Sequence, residues 1–457
     1  MIISNIHLFF WKNESSFFQN LIDNFPCFPF YLLILLSSEL KTNMIMKIHF
    51  YSIAIVSALL SVMFSMCHSP QKSTEVYFER ATPESVGMST EKLANADAVI
   101  NEAIEERTIP GAVLAVVKDC KLVYLKAYGN KSVYPNTIAM TENTVFDLAS
   151  LTKVAATSMS MAHLLERGGF RLEDKVNKYI PEFQPWVDPQ TGEKVDIRIV
   201  DLLTHSSGLP SYANTDELIE RYGVAHPDTL MSYINTVPRL FKPTTKYEYS
   251  CLGFITLQNI LERVTGKPLR DYAKENIFDV LGMKHTTYGP KTLNNKEVMA
   301  LVAPTVKQPD GSVLLGEAQD PLGRVMNLEN SGNSGLFSSA EDLALLAAAL
   351  MNGGKINGVS VLGKLTVDAM TEVPAGFEHI GRSLGWENYA MPGKYGCMFH
   401  PTRTFAHTGH TGTAIMVDPV NKVGIVLLAH RVHPVDTGSV GKLRTLVCNA
   451  VGAAVIE

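Results

Sequence analysis

The strand-like segments of this chain lie near its two ends, with a long helical stretch between them. AVLAVV (112–117) and LVYLKAYG (122–129) flank a KDCK turn and read as an antiparallel hairpin. Near the C-terminus, TAIMVDP (413–419) and VGIVLLAH (423–430) form a second hairpin around Pro419-Val420-Asn421. From Ser150 to about Gly323 the pattern is mostly helical and loop-rich. A strand pair needs partners to bury its faces, so the two hairpins are expected to share one antiparallel sheet built from both chain ends. Helices would flank it, a mainly helical insertion (about 155–325) would cover it, and a site would lie in the cleft between. The fold class is α/β (α+β). Two helices stand out: Ser89 to about Glu106, with Ser89 as N-cap, and AEDLALLAAALM (340–351), ended by the paired glycines 353 and 354.

Chemistry concentrates in TVFDLASLTKVAATSMSMAHLLERGG (144–169). Ser150 and Lys153 are three apart, so on a helix they share a face, with Cβ atoms roughly 5–6 Å apart. A lysine there can take the serine proton if burial lowers its pKa enough to leave it partly neutral. Ser-x-x-Lys also occurs at Ser38/Lys41, Ser69/Lys72, Ser89/Lys92 and Ser439/Lys442, so the tetrapeptide alone decides nothing. Context does. Lys92 belongs to an amphipathic, charge-rich helix and should be solvated. Ser150 instead precedes VAATSMSMAHLL, apolar or small on every side, which marks a buried helix. Asp147 is expected to cap that helix, placing Ser150 in its first turn, where the dipole favours developing negative charge.

Composition narrows the partners. The chain has 457 residues, 46% hydrophobic, with a formal charge of -5 and no basic cluster, which argues against nucleic acid. Six cysteines in so long a chain are not a disulfide framework. MKIHFYSIAIVSALLSVMFSMC (46–67) has a lysine, an apolar stretch and a terminal cysteine, the layout of a bacterial lipoprotein signal. Cys67 is then the lipidation site, although Phe64-Ser65-Met66 departs from the small residues usual before it; the alternatives are an ordinary signal peptide cut elsewhere and a membrane anchor that is never cut. Residues 1–45 read as a leader of doubtful status, 68–77 as a linker, and 78–457 as the catalytic domain. The expected location is outside the cytoplasm, periplasmic or anchored to the outer membrane by lipid, with no other membrane contact.

Two more motifs follow in order. KPTTKYEYSCLGFITLQNILERVTG places Tyr249-Ser250 just before an apolar helical pattern, and FAHTGHTGTAIMVDP carries His407-Thr408-Gly409. Ser-x-x-Lys, Tyr-Ser-x and [Lys/His]-Thr-Gly in that order resemble the serine beta-lactamase and penicillin-binding-protein superfamily. The nearer resemblance is to class C beta-lactamase-like serine hydrolases, a group of esterases, D-amino-acid peptidases and acyltransferases. It runs from about Phe78 to the C-terminus and includes IPGAVLAVVKDCKLVYLKAYG, DLLTHSSGLP and SGNSGLFSSAEDLALLAAALMNGG.

The resemblance implies a beta-lactamase-like fold and an acyl-enzyme on Ser150, with no cofactor and no metal. Lys153 supplies or relays the base, and Tyr249 shuttles protons as phenolate or together with the lysine. His407, Thr408 and Gly409 lie on the strand edging the cleft, and Gly409 admits the substrate backbone. The N–H of His410 joins that of Ser150 as oxyanion hole. Two residues depart from the dedicated beta-lactamases: Cys251 stands where Tyr-x-Asn has asparagine, and His407 where Lys-Thr-Gly has lysine. A fixed charge becomes one that titrates near neutrality. The expected substrate is therefore an ester or a D-amino-acid amide lacking the beta-lactam carboxylate pattern. An acyltransferase delivering the acyl group to a hydroxylated small molecule would use the same residues. A non-catalytic penicillin-recognising module is the alternative outside enzymes, and the intact Ser150/Lys153/Tyr249 set argues against it.

Several features are set aside. Val435-Asp436-Thr437-Gly438-Ser439 looks like an aspartic-protease signature without a second copy to supply the partner carboxylate. His205 is expected to stabilise a turn, not to act as a base. Gly-x-Ser-x-Gly and the common zinc motifs are absent from the sequence.

Overall fold

The computed structural model describes residues 78–388, 398–436 and 438–456. The leader, the signal, the linker and Cys67 lie outside these described residues. The principal elements are α1 (Thr90–Glu105), β1 (Gly111–Lys118), β2 (Lys121–Ser132), β3 (Ile138–Ala139), β4 (Val145–Asp147) and α2 (Met159–Glu166). They continue with α3 (Cys251–Thr265), β5 (Leu336–Ser339), α4 (Ala340–Met351) and β6 (Glu387–Asn388). The chain closes with β7 (Phe405–Thr408), β8 (Ala414–Asp418), β9 (Val423–Ala429) and α5 (Gly441–Ala454).

Both expected hairpins form, and β9 pairs antiparallel with β1, Leu114 opposite Leu427. The result is one seven-stranded sheet in the order β6-β7-β8-β9-β1-β2-β3. Asp119 and Cys120, both with positive φ, turn the first hairpin. Between α2 and β5 the described chain holds helices, loops and only two-residue strands.

Strand β1 is buried along its whole length, and its period of two sorts the side chains into two cores. Ala112, Leu114 and Val116 face Leu93, Ala96 and Ile100 of α1 and Leu443, Val447 and Val451 of α5. Val113, Ala115 and Val117 join the larger core with Leu343 and Ala347 of α4 and Leu252 and Phe254 of α3. Each large aliphatic side chain so buried stabilises the fold by roughly 1.5–3 kcal/mol. Helix α1 starts where its sequence announces it, with the Ser89 Oγ accepting the Lys92 N–H at 3.2 Å. Among the described residues no helix is long and apolar enough to cross a membrane.

Candidate active site

The segment carrying Ser150 is buried as expected but is not one regular helix. Strand β4 runs antiparallel to β5, with Phe146 opposite Ser338. After Leu148 the chain turns at Ala149, whose φ is +46°, into a 3-10 turn over Ala149–Leu151. A π-helical stretch, Lys153–Ser158, then leads into α2. Wide π turns inside helices recur at functional sites.

Asp147 does not cap this helix. Leu148 occupies the cap position without a side-chain bond, while Asp147 ends β4 with its carboxylate buried. That carboxylate accepts the Ala149 N–H at 2.8 Å and the Gln319 N–H at 2.6 Å. Burial raises its pKa to about 6 despite those two donors. Its role is to tie the strand end before the nucleophile to the loop at Gln319.

A second set of ties joins this turn to the far end of the sequence. Thr411 Oγ1 donates to the Asp147 carbonyl at 2.7 Å, and Thr413 Oγ1 to the Leu148 carbonyl at 3.0 Å. A Cβ at Gly409 would stand 2.3 Å from the Leu148 oxygen and 2.1 Å from Thr413 Oγ1. Glycine is therefore required by the approach of the protein's own backbone, where the sequence had reserved the space for substrate.

Lys153 is fully buried, and its Nζ lies 3.1 Å from Ser150 Oγ, 3.4 Å from Cys251 Sγ and 3.0 Å from the Asn333 carbonyl. Three donors meet three acceptors, the satisfied state of an ammonium. The Tyr249 ring centre is 4.9 Å from the same nitrogen. Burial is the largest influence and presses the lysine toward neutrality. Cys251, Tyr249 and the more distant Asp320 together outweigh it, so the pKa lies above the ordinary lysine value. The expected lowering is thus overturned: the neighbours that make the site hold the proton on Lys153.

Tyr249 is positioned from behind by His205, whose ring lies 4.4 Å away and tilted by 31°. His205 Nδ1 accepts the Ser250 N–H at 3.0 Å, and its φ is +57°, so it does stabilise a turn. Burial first, then Arg382, Lys153 and His407, hold its pKa well below the usual value. It is a neutral platform for the tyrosine. Ser250 caps α3 through the Gly253 N–H, which puts Cys251 in the first turn of α3, against Lys153.

One cleft of about 450 Å³ gathers Ser150, Tyr249, His407, Thr408, Gly409 and His410. His407 is buried on β7, its Nδ1 2.9 Å from the Thr408 carbonyl and its ring 6.1 Å from that of Tyr249. The Gly409 N–H donates to the Thr413 carbonyl at 2.8 Å, and His410, the next residue, lines the cleft. Ser150 lies in the first turn of its helix, where amides lack intrahelical partners. The His410 imidazole bonds the Asp436 carboxylate at 2.6 Å, which gives Asp436 a supporting task. Sequence reasoning missed the cleft's Tyr247, Arg382, Glu387, Arg431 and Arg444, and the Asn333 carbonyl on Lys153. Asn333 lay within a phrase already singled out, but nothing in the sequence marks a backbone acceptor.

Sheet, helical cover and the Ser150/Lys153/Tyr249 cluster define the penicillin-recognising class of serine hydrolases. Residues 96–448 match the family described as Beta-lactamase. The chain belongs to that family, and it is a serine hydrolase. It is 32% identical over 374 residues to an N-acetylmuramyl-L-alanine amidase of Bacillus subtilis, covering 77% of this chain and 83% of that protein. It is also 32% identical over 375 residues to a putative D-alanyl-D-alanine carboxypeptidase of Escherichia coli, covering 77% and 85%. Among solved structures, EstCE1, a hydrolase with promiscuous acyltransferase activity, superposes with a TM-score of 0.61 at 21% identity, over 79% of this chain and 99% of its own. Simvastatin synthase of Aspergillus terreus does so with a TM-score of 0.61 at 19% identity, over 80% and 99%. These two likenesses speak for the fold.

Proposed function

We propose that this protein is an exported hydrolase that cleaves ester or D-amino-acid amide bonds through an acyl-enzyme on Ser150. The observation that carries the reading is the buried Lys153 ammonium, 3.1 Å from Ser150 Oγ and against the Tyr249 phenol. Tyr249, in contact with that ammonium, takes the proton as Ser150 Oγ bonds to the acyl carbon. The carbonyl oxygen, now anionic, receives the N–H groups of Ser150 and His410. The proton passes to the departing amine or alcohol, and water then attacks the acyl-serine to release free acid and restore Ser150. His407, Thr408 and Gly409 align the substrate along β7, and Cys251 holds Lys153 in place.

The relatives named as amidase and carboxypeptidase support amide substrates. EstCE1, a hydrolase with promiscuous acyltransferase activity, supports transfer to a hydroxylated acceptor as the competing fate of the same acyl-enzyme. Export, by way of the 46–67 signal and lipidation at Cys67, rests on the sequence. The test is labelling with a fluorophosphonate followed by mass measurement of the adduct, in wild type and Ser150→Ala. Wild type should label at Ser150 and hydrolyse an activated ester, and Ser150→Ala should do neither. Full activity in Ser150→Ala refutes the reading.

A further inference from the structure

Gly409 must be glycine because the Leu148 carbonyl comes so near, and that requirement loosens the peptide group that follows it. With no Cβ to confine ψ at Gly409, the plane between Gly409 and His410 can rotate at little cost. In the proposed mechanism that plane carries the second oxyanion donor, the His410 N–H. The bond is trans, so the Gly409 C=O and the His410 N–H point in opposite directions. Whatever holds the carbonyl therefore aims the N–H.

Arg444 holds it. The side chain comes from the first turn of α5, and its Nη2 donates to the Gly409 carbonyl at 2.8 Å and the Thr413 carbonyl at 3.0 Å. The same Thr413 oxygen accepts the Gly409 N–H at 2.8 Å, so one guanidinium nitrogen braces both acceptors around Gly409. A turn bond from the Gly412 N–H also reaches the Gly409 carbonyl, at 3.1 Å. It is the longer of the two, and its donor is another glycine, with a φ of +122°. The next carbonyl, that of His410, accepts from Arg431 Nε at 2.7 Å. Among the described residues the His410 N–H has no acceptor, so it is the one backbone polar group of Gly409 and His410 left unpaired. Ser150, Gly409, His410 and Arg444 all line the same cleft. A donor on the carbonyl also polarises the amide and strengthens its N–H, and a guanidinium does so with a full positive charge.

We propose that Arg444 is a positioning residue for the reaction at Ser150: by bonding the Gly409 carbonyl it locks the peptide plane that aims the His410 N–H at the developing oxyanion. The inference rests on the hydrolase reading and on His410 as an oxyanion donor. Arg444 touches no reacting atom. It couples the C-terminal helix to the nucleophile turn through Gly409 and Thr413, whose Oγ1 bonds the Leu148 carbonyl.

The kinetic signature separates aim from folding and from substrate contact. Losing a whole oxyanion donor costs about 100- to 1000-fold in kcat, so a donor kept but misaimed should cost about 10- to 100-fold. Arg444→Met should show that fall in kcat on an activated ester, with KM within about threefold of wild type. Phenylboronic acid reads the hole directly: its boron bonds Ser150 Oγ, the serine proton leaves, and a tetrahedral anion remains. Its affinity should weaken by a similar factor, as for any mimic of the transition state. Arg444→Lys keeps a charge and a donor and should recover most of both losses. Circular dichroism and a cooperative melt establish that each variant is folded. If Arg444→Met does not fold, Arg444→Lys and Arg444→Gln carry the test, with kcat and boronate affinity falling in the order wild type, Lys, Gln. A folded Arg444→Met with wild-type kcat overturns the proposal, as does a loss confined to KM, an unchanged boronate affinity, or Lys and Gln variants equal to wild type. Failure of Ser150 labelling in wild type would instead defeat the hydrolase reading.

Discussion

Replacing Lys153 by Met separates what the lysine does for catalysis from what it does for the fold. Methionine nearly fills the space of the buried alkyl chain but brings no charge and no donor. Three contacts vanish, those to Ser150 Oγ, Cys251 Sγ and the Asn333 carbonyl. The Asn333 oxygen is left unsatisfied, which costs about 1–3 kcal/mol. Against this, the fold no longer keeps an ammonium out of water, a penalty of several kcal/mol even after relaxation. The neighbours of Nζ outweigh that penalty in the native protein, so Lys153→Met should stay folded but melt several degrees below wild type. Acylation should nonetheless slow by at least about a hundredfold, the low end of general-base catalysis. The assay pairs a thermal melt with the rate of fluorophosphonate labelling and of ester hydrolysis. Wild-type turnover in a folded Lys153→Met would refute the mechanism. A melt at or above that of wild type would show instead that desolvation outweighs those neighbours.

Gly409→Ala drives a methyl group to 2.3 Å from the Leu148 carbonyl, so β7 and the nucleophile turn must part. Stability should fall by about 1–3 kcal/mol, in the range of overpacked sites, and Ser150 labelling should slow at least tenfold; wild-type values for both refute the close approach. Glu329, buried beside the Ala318 amide, has its pKa raised by burial from 4.5 to about 7. A raised acid favours the protonated fold, so its stabilisation is complete below about pH 4.5 and lost as pH rises through about 7. The loss is on the order of 3 kcal/mol, about 1.4 per pKa unit. Urea denaturation at pH 5 and pH 8 should show that dependence reduced in Glu329→Gln, and an unchanged slope would refute the burial argument. Cys251→Asn with His407→Lys restores the family's usual groups and should shift selectivity toward beta-lactams relative to an activated ester. An unchanged ratio would mean that these positions do not set substrate choice.

What the sequence made legible is what a short window determines. Six apolar residues in a row read as a strand, and β1, buried on both faces, fits that segment to within a residue at each end. A three-residue spacing brings Lys153 to Ser150 in any helical geometry, whether α, 3-10 or π. The irregular turn itself was not visible, because it depends on Thr411 and Thr413 reaching back from the other end of the chain. Asp147 was misjudged for the same reason: Ser, Thr, Asp and Asn before a helix usually cap it, and here the Gln319 amide competes for the carboxylate.

The lysine pKa exposes a deeper limit. Burial can be inferred from an apolar helix, and burial alone lowers a lysine. The sign of the net shift depends on which groups converge on the nitrogen, and Cys251 and Tyr249 arrive from another segment nearly a hundred residues away. The charge around the site is assembled at the same long range. His407 can be read from its motif, and its loss of fixed charge pointed away from carboxylates. Arg382 belongs to no motif and approaches Tyr249 only in the folded chain. A motif therefore reports the reaction that the groups nearest the nucleophile can perform, while the charge of the cleft is assembled from segments such as those of Arg382, Arg431 and Arg444, whose sequence carries no mark of it.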